Sequence, residues 1–182
     1  MLNNDTMELW KNELRRKING KQWIDAIEFM KEIIYNNPES EDAYLNMIYL
    51  LEHVALETNA EESLQEQCMK ALPGIYRESL HKFSGNASFL FYLGYITVWC
   101  CWIYGISDED AMRMVDKAYE MEPSNKLYRF SIYQRLQGDY SEIQKYAIDI
   151  LNDRESISTI EALGPVGDYR IDCLKGWKNR PI

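Results

Sequence analysis

Few residues of this sequence could carry chemistry: four cysteines, two histidines and several adjacent carboxylates. A nucleophilic mechanism needs a Ser, Cys or Thr beside a histidine that an acid orients. Neither histidine lies in a nucleophile motif. His53 falls in an apolar helical stretch, where it reads as a packing residue, and His81, next to Lys82, reads as a solvated helix end. Zinc sites use paired spacings such as C-x-x-C. Cys68, Cys100, Cys101 and Cys173 hold no such spacing, and their apolar surroundings make them small buried hydrophobes of a reducing compartment. Pairs such as Glu61-Glu62 fit the charged surface of helices, and no phosphate-cradling glycine loop is present. The expectation is a protein with no enzymatic role, no cofactor and no metal.

Binding is the alternative, and charge bounds the partner. The 182 residues carry 29 acidic and 20 basic side chains, a net charge of −9. Such a surface repels nucleic acid and anionic membrane and attracts a basic protein. At 46% hydrophobic and 27% charged, the chain reads as one folded domain over residues 1–182. The opening MLNNDTMELWKNELRRK has no apolar core of a signal peptide, so the expected location is the cytoplasm. The run FLFYLGYITVWCCWIYGI, residues 89–106, is uncharged and close to membrane-span length. Its aromatics are spread throughout, no Lys or Arg cluster flanks it, and Ser107-Asp108-Glu109-Asp110 follows at once. A helix covered on all sides by neighbours fits better than a membrane span.

The elements that would position a binding surface are helices. LWKNELRRKI, WIDAIEFMKEII, AYLNMIYLLEHV and AMRMVDKAYEM each place apolar residues at i, i+3, i+4 and i+7. Capping boxes are expected at Asp5/Glu8, Asn59/Glu62, Ser107/Asp110, Asp139/Glu142 and Ser158/Glu161, the last opening a short helix near 159–163. Stops fall at Asn36-Asn37-Pro38, Pro123 and Gly164-Pro165. The insert GIYRESLHKFSG after Pro73 extends the second unit or adds a helix.

Four units recur. The first holds Trp10, Leu14, Trp23, Ala26, Met30, Ile33 and Pro38; the second Tyr44, Ile48, Ala60 and Pro73. The third holds Tyr95, Trp99, Trp102, Ala111, Val115, Ala118 and Pro123; the fourth Leu127, Gly138, Tyr140, Ile143 and Ala147. This pattern resembles the tetratricopeptide repeat over about residues 7–152. The resemblance implies an all-α fold of stacked antiparallel helical hairpins, about four pairs. Residues 153–182 then form a cap, with Tyr169, Ile171, Leu174 and Trp177 covering the last hairpin. Ala26, Ala60, Ala111 and Ala118 would let paired helices approach closely. Trp10, Trp23, Tyr95, Trp99 and Tyr140 sit at pattern positions and are expected in the core, leaving Tyr49, Tyr128 and Tyr133 as interface candidates.

In the repeat family the first helix of each pair lines a concave groove. That implies a partner-binding group of Asp42, Tyr49 and Glu52 in the second unit with Tyr128 and Arg135 in the fourth. In size, acidity, hairpin build and lack of catalytic motifs, the chain also resembles immunity proteins of contact-dependent growth inhibition systems. The expected partner is then a basic toxin domain, such as a nuclease, whose active or substrate-binding face is covered. The competing expectation is an adaptor or secretion chaperone holding a partner peptide in the groove.

Overall fold

The computed structural model describes residues 4–136 and 139–180, with side chains from Leu9 onward. Among these residues the fold is all helical: eleven helices and no strand. Helices α1 (Asn4–Asn19) and α2 (Trp23–Asn36) form the first hairpin, and α3 (Glu41–Leu56) and α4 (Glu62–Phe83) the second. The third comprises α5 (Ala87–Thr97), the single turn α6 (Cys101–Tyr104) and α7 (Asp108–Met121). The fourth is α8 (Lys126–Arg135) with α9 (Tyr140–Asn152), followed by α10 (Arg154–Glu161) and α11 (Pro165–Lys178). Consecutive hairpins stack, with α3 against α2 and α5, and α8 against α7.

Local chemistry explains most boundaries. Side chains of Ser40, Asn86, Ser107, Asn125, Asp139 and Asp153 accept from backbone N–H groups in the first turn of the helix that follows. Ser107 and Asp110 make the reciprocal capping box that their spacing predicts. The Asn59/Glu62 pair does not, because α4 begins after Glu61 and has no side-chain cap. Ser158 lies inside α10, which starts five residues earlier than its spacing suggests, capped by Asp153. Pro73 does not end its helix: α4 runs through it to Phe83, so the insert is an extension. The Asp5/Glu8 side chains and Gly138 lie outside the described residues.

Close packing rests on small residues. Ala26, Ala111 and Ala118 are fully buried, whereas Ala60 sits in the loop before α4. A methyl group on Gly94 would lie 2.6 Å from the Ala111 carbonyl oxygen, so α5 and α7 touch backbone to backbone there.

The uncharged run is where the structure departs most from expectation. It is not one helix buried on all sides. Helix α5 ends at Thr97, the chain turns, and α6 resumes for one turn before Gly105 at φ 69°. Phe89, Leu90, Phe91 and Leu93 are buried, but Trp99 is 73% and Trp102 67% exposed. Tyr140 is exposed as well, with its ring against Trp177. Pattern position therefore does not place these three rings in the core. Among the described residues no helix is long and apolar enough to cross a membrane.

Candidate interaction surface

The first helices of the four hairpins, α1, α3, α5 and α8, share one face, and α11 lies along it. Arg15 of α1 donates to Asp168 of α11 at 2.6 and 3.0 Å. On α3, Asn46 is fully buried; its amide donates to the Leu163 carbonyl at 2.7 Å and accepts from the Val166 N–H at 3.2 Å. Tyr49 of α3 and Tyr95 of α5 both pack on Tyr169. Arg170 reaches α8, donating to Ser131 Oγ at 2.7 Å, with its guanidinium 3.9 Å from the centroid of Tyr95 and flanked by Phe91 and Phe130. Helix α11 also packs against α9. It goes further and touches α1, α3, α5 and α8.

The five residues singled out from sequence meet different surroundings, and of them Tyr49 packs its ring on α11. Asp42 pairs with Lys11 of α1, which also donates to the Ala162 carbonyl. Tyr128 is buried, its ring stacked on Phe91 at 4.5 Å, and burial pushes its hydroxyl up to about 12. Arg135 is exposed and forks onto Asp116. Tyr49 and Glu52 are brought together, one turn apart, whereas Asp42, Tyr128 and Arg135 each face different neighbours. Tyr133 donates to Glu142.

Tyr49 and Glu52 line a narrow slot together with His53, Glu57, Ile96, Trp99 and Tyr169. Tyr49 stacks on His53 at 5.8 Å, and His53 Nδ1 lies 2.8 Å from Glu57. Glu52 accepts from the Tyr104 hydroxyl at 2.7 Å and from the Cys100 thiol. Both donors are neutral, and among the described residues no Lys or Arg pairs with Glu52. Burial, opposed by these two hydrogen bonds, raises the Glu52 carboxyl to about 7. The Cys100 thiol and Tyr104 hydroxyl are pushed up in turn, by burial first and then by the Glu52 charge.

Sequence reasoning found Tyr49 and Glu52 but assigned Trp99 to the core. Trp99 lies in the turn between α5 and α6, where no helical spacing marks which side chains face out. A larger depression of about 680 Å³ separates α2 from α4, floored by Met47, Leu51, Leu64 and Cys68 and rimmed by charges of both signs. Among the described residues no group of His, Cys, Asp or Glu is placed to hold a metal ion. The sequence matches no protein-family model, and no curated protein matches it.

Proposed function

We propose that this chain is an immunity protein of tetratricopeptide-like build that binds a basic bacterial toxin domain, a nuclease by charge class, and neutralises it by covering its active or substrate-binding face. It works in the bacterial cytoplasm, by occlusion and without chemistry of its own. The net charge of −9 supports a basic partner, met quickly through electrostatic steering.

The observation that carries this reading over the adaptor or chaperone is α11. A chaperone that cradles an extended peptide needs its groove open. Here the face lined by first helices is covered by the chain's own helix, held by Arg15, Asn46 and Arg170. What remains for a partner is outer surface, which suits a folded domain better than an extended segment.

Affinity capture of the tagged protein from its host, with mass spectrometry of the co-purifying chain, tests the proposal. A stoichiometric partner that arrests growth when expressed alone and is harmless when co-expressed is the expected result. A non-toxic secreted partner, bound through an extended segment, would overturn the reading.

A further inference from the structure

We propose that the turn joining α5 to α6, with Trp99 and Trp102 at its centre and Glu57 and Asp108 beside them, is the surface that docks a basic folded protein. That this protein is a toxin rests on the function proposed above; the surface and its charge do not.

Exposed tryptophan is the first argument. Trp99 is 73% and Trp102 67% exposed, only three residues apart. Two indoles left in water on one short turn forgo stabilising burial, and docking of a partner recovers it. Tryptophan is also enriched at the energetic centres of protein interfaces.

The turn is fastened from beneath. Cys100, Ile103 and Tyr104 are buried, the Tyr104 hydroxyl donates to Glu52 of α3 at 2.7 Å, and the Tyr104 ring lies against Tyr76 of α4. The Cys101 thiol donates to Asp108 at 2.7 Å, closing the turn onto the start of α7. Both indoles therefore stand on a pre-organised support, which lowers the ordering cost of docking.

Charge names the occupant. Residues 32–69 and 83–112 contain no Lys or Arg. The two stretches meet at this turn, where Trp99 and Glu57 line the same slot. Glu57, at the end of α3, and Asp108, at the start of α7, are exposed, and among the described residues neither pairs with a Lys or Arg. A second copy of this chain would set two such acidic surfaces against each other, and nucleic acid or anionic membrane is repelled as well. A cationic protein face pairs both carboxylates as it covers the indoles.

The test is site-specific photo-crosslinking of the full chain in its host. The cross-linker p-benzoyl-phenylalanine replaces Trp99, Trp102 or, as control, Tyr35, which is 86% exposed in the last turn of α2. Irradiation should link one strongly basic protein to positions 99 and 102 and leave position 35 unlinked. With that protein purified, Trp99→Ala and Trp102→Ala should each weaken binding at least about tenfold, with unchanged thermal melts because both rings are exposed. Glu57→Gln/Asp108→Asn should slow association at least about threefold at low salt and leave dissociation nearly unchanged.

An adduct with an acidic protein, with a second copy of this chain, or with nothing at positions 99 and 102 would overturn the surface. If a basic toxin is captured but cross-links only at position 35, or binds Trp99→Ala and Trp102→Ala as tightly as wild type, the surface falls and the immunity reading stands. If the protein linked at positions 99 and 102 is basic but harmless when expressed alone, the immunity reading falls and the surface stands.

Discussion

The side-chain amide of Asn46, on α3, accepts a hydrogen bond from the backbone N–H of Val166, 120 residues later, at 3.2 Å. The same amide donates to the carbonyls of Asp42 and Leu163, so one fully buried side chain satisfies both ends of the α10–α11 connection. Asn46→Ala removes the partner of a buried N–H and of a part-buried C=O. A loss of about 2–4 kcal/mol is expected. Urea unfolding should show a lower midpoint at unchanged slope; a loss under about 0.5 kcal/mol would mean that water enters to replace the amide.

Arg170 is 1% exposed, its Nε has no acceptor, and among the described residues no carboxylate pairs with it. Volume, more than charge, should be what it contributes. Arg170→Met is therefore expected to be neutral or stabilising by up to about 2 kcal/mol, while Arg170→Ala costs about 3 kcal/mol through the cavity. If Met costs as much as Ala, the contacts to Tyr95 and Ser131 matter more than filling.

A methyl group on Gly167 would lie 1.9 Å from the Ile160 carbonyl oxygen, which is backbone and cannot step aside. Gly167→Ala should destabilise by at least about 2 kcal/mol, by forcing α11 off α10. Gly85 provides the contrast, since nothing lies within 4 Å of its added carbon and its φ is not positive. Gly85→Ala should stay within about 1 kcal/mol of wild type, on the stabilising side. Differential melting of the two variants checks the pair.

Glu52 gives the fold a pH dependence with a definite sign. Below its ordinary value of 4.5 both folded and unfolded chains hold the proton, and the residue costs nothing. Between 4.5 and about 7 the unfolded chain releases the proton and the folded one keeps it, so stability falls as pH rises. Above about 7 the loss is constant. Glu52→Gln keeps an acceptor for Tyr104 and removes the penalty. It should match wild type at pH 4 and exceed it at pH 8 by on the order of 1–3 kcal/mol, read from urea midpoints. Equal stability at pH 8 would mean the carboxylate is solvated.

The hairpins could be read from the sequence because their determinants are local. Apolar spacing marks the buried face of α2 and α7, and Ser107 with Asp110 satisfies one helix start within four residues. The position of α11 could not be read this way. It depends on Arg15, Asn46 and Ser131 meeting Asp168, Val166 and Arg170, pairings over 39 to 153 residues that leave no periodic trace. Tyr49 and Glu52 share a wall because they are three apart on α3, a helical spacing. Trp99 joins them only because α5 stops at Thr97, and a break in an uncharged aromatic run carries no breaker residue to announce it.

The fastening of α11 across every hairpin also sets an order of events in synthesis. An open repeat array can consolidate unit by unit as it emerges, since each unit needs only its neighbour. Here the faces of α1, α3, α5 and α8 wait for residues 165–178, made after all four hairpins. Until then Tyr95, Phe91 and Asn46 lie uncovered on a nascent chain, a surface for chaperones to guard. Once α11 docks, its ties from Arg15 to Ser131 link the first hairpin to the last, and the stack should melt as one body instead of fraying from its ends.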